Sequence, residues 1–216
     1  MTFLLQIVNR KNAMGHSRND KAASHERILG AAARRFRERG YDGVGLAELM
    51  SDAGLTLGGF YKHFASRDRL VAEATQRAFT EASARLRHEM ASAHGAPLSA
   101  LLDVYLSPAH RDEAGGGCPV AALAADAART PAAHKIFSVA VRSYAEWVGS
   151  MLEGPECEKR ARGAAVICAM AGAVAVARAL DDPEFSDETL RAVRRLIENA
   201  QRGKPQPKRR RRAPRP

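Results

Sequence analysis

Residues 53–64 read AGLTLGGFYKHF, and this stretch decides the fold. Its first three residues predict a tight turn, because Gly54 can adopt the left-handed backbone conformation without steric cost. Thr56 is a good N-cap residue for a second short helix, which we expect over residues 57–63. Short helices on either side of a glycine turn are typical of a helix-turn-helix unit.

Helical periodicity extends to both sides of this stretch. Upstream, one apolar face predicts a helix that begins near Ser24 and ends at Gly40, and a second apolar set predicts a short helix just before the turn. Downstream, Ser66 is expected to cap a helix that runs to about Ser92. The apolar residues of the two upstream helices are Ile28, Leu29, Ala32, Phe36, Leu46, Leu49 and Met50.

The remainder of the chain predicts five more helices, separated by prolines, glycines and one longer loop. Alanine is abundant and β-branched residues do not alternate, which favours an all-α fold of about nine helices. We expect a flexible arm at 1–20, a helix-turn-helix domain at 21–66, a larger helical domain at 67–202 and a disordered basic tail at 203–216. The five helices are expected at 97–106, 119–130, 131–152 and 156–180 and from a Ser186 cap onward, with a loop at 107–117.

The net charge of +10 is unevenly distributed. Residues 10–70 carry a net charge of +5 and residues 202–216 a net charge of +8, whereas residues 71–201 carry −3. This asymmetry indicates a polyanion partner for the two ends and a different partner for the middle. The alternative is that the charge only aids solubility.

The short helix after the turn has the chemistry of a DNA-reading element. Such a helix fits the major groove, where its first residues reach base edges and flanking residues hold phosphates. Tyr61, Lys62 and His63 place a hydroxyl, an ammonium and an imidazole at its end, which suits phosphate oxygens. The candidate DNA-binding residues are Thr56, Leu57, Gly59, Tyr61, Lys62, His63 and Arg67.

The stretch from Arg27 to Leu70 closely resembles the DNA-binding domain of the TetR/AcrR transcriptional regulators. The matching residues are Ile28-Leu29-x-Ala31-Ala32, Phe36-x-x-x-Gly40-Tyr41, Ala53-Gly54-Leu55-Thr56-x-Gly58-Gly59-Phe60-Tyr61-x-His63-Phe64 and Ser66-Arg67-Asp68-x-Leu70. The resemblance implies that Thr56 caps the recognition helix and touches DNA, and that Tyr61, His63 and Arg67 contact phosphate. Two departures are visible: Val44-Gly45 replaces a usual Ser or Thr before the second helix, and Gly59 replaces a more frequent Thr or Ala.

The resemblance also implies a homodimer joined through the last two helices, a palindromic operator in double-stranded DNA, and release of a repressor by a small molecule. The helix at 156–180 supports the dimer independently, because it is apolar on nearly all sides and needs several partners. The alternative is that this helix is the buried centre of a monomer. A single Trp with nearby Tyr and Met suggests an apolar or aromatic effector. The candidate pocket residues are Leu102, Tyr105, Cys118, Phe137, Tyr144, Trp147 and Met151.

Cys118 follows three glycines and precedes Pro119, at the start of a predicted helix. That position favours the thiolate and raises its reactivity, so one hypothesis is that Cys118 senses electrophiles or oxidants. The alternative is a small apolar filler at a helix start. We expect Cys168, between Ile167 and Met170, to be buried and inert.

Other classes of function have less support. Catalytic arrangements of Ser, His and Asp, paired carboxylates and phosphate-binding loops do not stand out, so we do not expect an enzyme. The histidines and cysteines lack metal-ligand spacing, and we expect no metal and no cofactor. The sequence also favours a cytoplasmic protein without a membrane span. A third possibility is a non-specific polyanion-binding protein that relies on the Lys208–Arg212 tail.

Overall fold

The computed structural model describes residues 2–93 and 95–202, with side chains from Asn19 onward. Within these ranges every regular element is a helix, and the predicted all-α fold is confirmed. The elements are α1 (Thr2–Arg39), α2 (Leu46–Asp52), a 3₁₀ helix (Leu57–Lys62), α3 (Arg67–Ala91), α4 (Pro97–Tyr105), α5 (Pro108–Asp112), α6 (Pro119–Ala127), α7 (Pro131–Gly149), α8 (Glu156–Ala179) and α9 (Pro183–Arg202).

Helix α1 begins at Thr2, so the predicted start near Ser24 was wrong. The hydroxyl of Ser24 accepts a hydrogen bond from the Arg27 guanidinium at 3.1 Å instead of capping a helix. The segment that we assigned to an arm continues α1, and it contains no proline that would end the helix. Without a breaking residue, a helix that has already formed extends at little cost.

Two other helix starts differ from the prediction for local reasons. The loop expected at 107–117 contains the short α5, which Ser107 caps by accepting a hydrogen bond from the His110 N–H at 3.1 Å. Helix α9 begins at Pro183, since Asp182 accepts from the Phe185 N–H at 3.0 Å. Ser186, the predicted cap, is buried and donates to the Ala177 carbonyl at 2.8 Å. Ser186 therefore links α9 to α8 through a hydrogen bond and does not cap the start of α9.

The helices enclose two hydrophobic cores. The N-terminal core packs α1, α2 and the 3₁₀ helix on the first half of α3, and it also takes in Leu123 and Ala127 of α6. The second core lies between α4, α7, α8, α9 and the second half of α3. Helix α3 therefore contributes to both cores. The fully buried large side chains are Tyr41, Phe36, Phe60, Phe64, Ile28, Leu49, Met50, Leu70, Leu101, Leu102, Leu123 and Met170.

Helix α8 packs on α7 and α9, and it is apolar from Gly163 to Ala177. Among the described residues it is the one helix long and apolar enough, by length and composition, to cross a membrane. In this protein 44% of its apolar window is buried, and core helices commonly meet the same criterion. Cys168 is exposed, so the prediction that it is buried was wrong: Ile167 and Met170 face the core, and Cys168 lies on another face.

Candidate nucleic-acid interface and internal cavity

The segment from Thr56 to His63, called here the recognition segment, is held between the glycine turn and α3. Gly54 has φ of +70°, and the turn is closed by a hydrogen bond from the Leu55 N–H to the Met50 carbonyl at 2.8 Å. Thr56 occupies the N-cap position, as predicted, but its side chain makes no capping hydrogen bond. The segment folds as a 3₁₀ helix, since Gly58 and Gly59 disfavour a regular α-helix.

Two aromatic side chains anchor the recognition segment from below. Phe60 and Phe64 are buried in the N-terminal core, with ring centroids 5.6 Å apart. The opposite side of the segment faces solvent: Tyr61 is 76% exposed and Leu57 is 51% exposed. Thr56, Gly58 and Lys62 are exposed as well. Most of the predicted DNA-binding residues therefore lie together on one accessible surface.

His63 differs from its neighbours because it is half-buried, with an Nδ1 atom that has no hydrogen-bond partner among the described residues. Its ring lies 6.3 Å from that of His25, which stacks on Phe64. Burial lowers the pKa of His63, and the positive charges of His25, Lys21, Lys62 and Arg27 lower it further. At neutral pH the imidazole is therefore uncharged, and it offers phosphate at most one N–H donor.

Arg67 holds the loop between α1 and α2 in place. One nitrogen of its guanidinium donates to the carbonyls of both Tyr41 and Val44, the latter at 3.0 Å. The N-cap position of α2 is Gly45, whose lack of a side chain leaves α2 without a capping hydrogen bond. Arg67 thus positions the start of α2 from outside the helix. The nitrogens of Arg67 that do not bond to these carbonyls are the ones that would make the predicted phosphate contact.

Comparison with known proteins agrees with this arrangement. Residues 28–74 match the family model described as bacterial regulatory proteins of the tetR family. Residues 28–74 are therefore a helix-turn-helix domain of the tetR type. This match and the exposed helix-turn-helix surface support a DNA-binding regulator. No curated protein matches the chain by sequence.

Solved TetR-family structures share the fold over most of the chain. A regulator from Cytophaga hutchinsonii is 20% identical with a TM-score of 0.70, and the match covers 86% of this chain and 98% of that protein. A regulator from Chloroflexus aurantiacus is 23% identical with a TM-score of 0.69, covering 83% and 96%. The reduced form of NemR from E. coli is 18% identical with a TM-score of 0.65, covering 82% and 95%. At these identities the likeness establishes the fold.

A cavity of about 40 Å³ lies in the second core. Four of the predicted pocket residues line it: Tyr105, Cys118, Tyr144 and Trp147. Three others do not line it: Leu102 is fully buried in the core, Phe137 packs edge-on against Phe79, and Met151 packs against the core from its margin. The sequence prediction missed several lining residues, including an α3 face at helical spacing. These are Ala82, Arg85, Leu86, Glu89, Leu101, Val104, His110, Gly116, Gly117, Val148, Ile167 and Met170.

The polar groups of the cavity are few and mostly satisfied. The Tyr144 hydroxyl bonds with the Ser83 hydroxyl at 2.8 Å, and burial raises its pKa to about 12. The Tyr105 hydroxyl lies beside the Cys118 thiol but makes no hydrogen bond of ordinary geometry within the described residues. Burial raises the pKa of Tyr105, so its hydroxyl stays protonated. Tyr105 therefore presents a free O–H donor in an apolar cavity.

His110 connects Tyr105 to Cys118 through the backbone. Its Nδ1 lies 2.7 Å from the Tyr105 carbonyl oxygen, and its Nε2 accepts a hydrogen bond from the Cys118 N–H at 3.0 Å. Nδ1 must therefore carry the proton, and Nε2 must not. Burial lowers the pKa of His110, and the charges of Arg178 and Arg85 act in the same direction. This loop is built around a neutral histidine.

Cys118 occupies the N-cap of α6, as predicted, but it is only 6% exposed. Burial raises the pKa of its thiol, which outweighs the opposite effects of Tyr105 and of the first backbone N–H groups of α6. The expectation that the helix N-terminus would favour a thiolate was therefore wrong. The position has the expected dipole, but removal from water dominates. Among the described residues, no group of three His, Cys, Asp or Glu side chains is arranged to hold a metal ion.

The triple-glycine loop links the cavity to α1. Glu113 pairs with Arg34 of α1 at 3.1 Å. A Cβ at Gly115 would collide with the Glu38 carboxylate, and a Cβ at Gly117 would lie 2.8 Å from the Arg178 guanidinium. A larger residue at either position would require the end of the Glu38 or Arg178 side chain to move. The run of three glycines was the sequence signal for this close packing.

Lowering the pH below 6.5 is expected to destabilise the protein, and His110→Gln is expected to reduce that dependence. Because the folded pKa is lowered, the unfolded chain binds the proton first as pH falls, and the free energy of unfolding declines by up to about 1.4 kcal/mol per pH unit. Urea unfolding between pH 7.5 and 5 measures this slope. His134→Gln, at an exposed site, is the matched control. Equal slopes in wild type and His110→Gln would contradict the role of the neutral imidazole.

Cys118 is expected to react with a mild electrophile more slowly than the exposed Cys157 in the native protein. Its burial and raised pKa both reduce the fraction of accessible thiolate. Timed alkylation followed by peptide mass spectrometry gives the two rates side by side. Unfolding in urea should bring the rates together, which controls for intrinsic differences in sequence context. Faster modification of Cys118 in the native state would restore the sensor hypothesis.

Proposed function

We propose that the chain is a homodimeric repressor that binds a palindromic operator and is released by a small, apolar or aromatic effector. The observation that carries this proposal is that one helix, α3, connects two separate sites. The recognition segment precedes α3, and the same helix lines the internal cavity at Ala82, Arg85, Leu86 and Glu89. An occupant of the cavity can thereby act on the DNA-binding surface.

Specific DNA binding is assigned to residues 21–66, with 67–202 as the effector-binding and dimerisation domain. Support comes from the exposed side of the recognition segment, where Tyr61 and Lys62 offer a hydroxyl and an ammonium to phosphates. Thr56 and Leu57 stand at the end that would enter the major groove. His63 and Arg67 contribute less directly, because each is partly engaged inside the protein.

Dimerisation is assigned to one exposed apolar surface, called here the α8–α9 face. On α8 its members are spaced by three and four residues, which places them on one side of the helix. Val176 is 52% exposed, and Phe185 and Leu196 of α9 are 51% and 65% exposed. Exposed apolar surfaces of this kind are typical of protein interfaces. The members of the face are Ala161, Ala165, Cys168, Gly172, Val176, Phe185, Ala192 and Leu196.

Release would follow from the small size of the cavity. A volume of about 40 Å³ holds only a few water molecules, whereas ligand sites generally measure several hundred Å³. An effector must therefore displace one of the walls, which belong mainly to α3, α4, α7, α8 and the triple-glycine loop. We assign this displacement to α3 or the triple-glycine loop. Both walls touch the N-terminal domain, and their displacement changes the spacing of the two recognition segments in a dimer. An effector that prefers this displaced state weakens operator binding by linkage.

The unpaired hydroxyl of Tyr105 indicates which functional groups an effector would carry. A buried donor without a partner is costly, and a ligand that supplies an acceptor recovers that cost. The surrounding residues are mostly apolar, and Arg85 is already paired with Glu89 at 2.7 Å. These contacts favour an uncharged ligand with one hydrogen-bond acceptor, such as a carbonyl or ether oxygen, on an apolar body.

Two alternative functions place the DNA affinity or the regulatory signal in other parts of the chain. A polyanion-binding protein would rely on the basic tail at 203–216, which lies outside the described residues, and its binding would depend steeply on salt. Deleting residues 203–216 separates the readings, because only the polyanion reading predicts that all operator preference disappears. A Cys118-based sensor would have to expose its thiol first.

Fluorescence anisotropy on the chain's own upstream DNA tests the proposed function. At about physiological salt, we expect a preference of at least about a thousandfold over scrambled DNA. Tyr61→Ala should weaken operator binding by roughly tenfold or more, since a hydrogen bond to a charged phosphate is lost. Its unfolding midpoint should not change, because Tyr61 is 76% exposed. Equal binding of wild type to both DNAs, unchanged by the substitution, would contradict specific recognition.

Val176→Arg is expected to convert the dimer to a monomer and to abolish high-affinity operator binding. The substitution places a charge on each side of the α8–α9 face, where it would be buried without a partner. Sedimentation velocity measures the mass in solution. Val139→Arg on α7 is the matched control, because Val139 is 59% exposed but lies outside this face. A wild-type monomer, or a Val176→Arg dimer, would overturn the assignment.

A further inference from the structure

The recognition segment is unusual in what its outer surface offers to bases. Base pairs are commonly read by Arg, Lys, Asn, Gln, Asp, Glu, Ser or Thr, whose side chains pair with base edges in the major groove. Of these residue types, the segment from Thr56 to His63 contains only Thr56 and Lys62. The segment's longer polar side chains, on Tyr61, Lys62 and His63, are those we assign to phosphates. The end that would enter the groove presents Thr56, Leu57 and Gly58.

Leu57 is the most exposed leucine among the residues that form and surround the N-terminal core, where Leu46 and Leu55 are partly buried. Leu49 and Leu70 are fully buried, whereas half of Leu57 contacts solvent. Packing of the protein does not explain this exposure. In the major groove the one apolar group on a base edge is the C5 methyl of thymine. An exposed leucine therefore matches a thymine methyl and none of the hydrogen-bonding groups.

Gly58 and Gly59 make a close approach possible. A Cβ at Gly58 would meet nothing within 4 Å, and a Cβ at Gly59 would meet only the tip of Met50 at 3.6 Å. Neither glycine has a positive φ. The fold itself thus does not require glycine at these positions. Their bare backbone leaves room for another molecule beside Leu57.

We infer that Leu57 is a specificity-determining residue that reads thymine methyl groups in each operator half-site, with Gly58 and Gly59 giving its backbone access to the groove. This inference rests on the proposed function, because it requires sequence-specific DNA binding. It assigns sequence discrimination to van der Waals contact, whereas Tyr61 and Lys62 hold the backbone and set the orientation. A thymine-to-uracil change in the operator removes only the methyl group and keeps every hydrogen-bonding group.

The test begins with selection of a binding site by the full-length protein from a random duplex library. The selected operator is then synthesised with deoxyuridine in place of individual thymidines, and affinities are measured by anisotropy at fixed salt. We expect about a fourfold loss for each methyl that Leu57 covers, and about 15-fold when both half-sites are changed. Leu57→Ala should bind thymine and uracil operators equally. Tyr61→Phe is the control and should retain the full thymine preference.

The glycines have their own variant. Gly58→Ala should lower operator affinity at least tenfold, while its unfolding midpoint stays equal to or above that of wild type. Gly30→Ala is the matched control, because a Cβ at Gly30 also meets nothing within 4 Å, and Gly30 belongs to α1 and not to the recognition segment. Gly30→Ala should leave operator affinity unchanged.

Each outcome decides between the claims. A methyl effect present in wild type and lost in Leu57→Ala supports the inference. Specific binding that is unaffected by uracil, or equally affected in wild type and Leu57→Ala, overturns the inference and leaves the proposed function standing. Enrichment of no sequence at all overturns both. Full operator affinity in Gly58→Ala contradicts the role given to the glycines.

Discussion

Helix α3 belongs to both hydrophobic cores, and the rest of the structure depends on this. Its first half packs Leu70, Val71 and Ala74 beneath the recognition segment, and its second half reaches the cavity. A buried arginine fixes α1 to its middle: Arg37 donates to the Ala78 carbonyl at 3.1 Å and pairs with Glu81 at 3.1 Å. At about 1.5 Å per residue, the 25 residues of α3 span roughly 37 Å without a proline or glycine. The two hydrophobic cores therefore share one continuous helix.

Polar contacts then tie the cavity to the last two helices. Arg178 of α8 donates to the carbonyls of His110 and Arg111 at 2.9 and 2.7 Å. Arg111 in turn pairs with Asp187 of α9 at 2.6 Å and donates to Ser186 at 2.9 Å. Burial lowers the pKa of Arg178, and backbone carbonyls accept the hydrogen bonds of its guanidinium. The loop that carries Cys118 is consequently held by the same helices that form the α8–α9 face.

Local sequence signals predicted much of this architecture. Ser66 caps α3 through its hydroxyl, and Pro119 and Pro131 start α6 and α7, because capping and proline geometry act within a few residues. The signals failed where distant contacts decide. Ser186 is a good cap in isolation, yet it bonds to α8 and Arg111, which no local pattern reveals. Cys118 likewise has the expected position, but the chemistry of its thiol depends on burial by residues far away in the chain. The aromatic residues that line the cavity were predictable from the sequence, but the lining residues of α3 were not. The three- and four-residue spacing of the α3 residues is also found in any helix that packs on a core.

The small cavity has a kinetic meaning for any molecule that enters it. A site that must open before it fills binds only the fraction of molecules already open, and the observed affinity falls by that fraction. Association is then limited by the opening motion and is slower than diffusion allows. Compounds that fit the cavity poorly would not bind at low concentration, because their contacts do not offset the free energy needed to open it. The closed packing around Tyr105 and Trp147 therefore sets the free energy that any such molecule must supply before it fits.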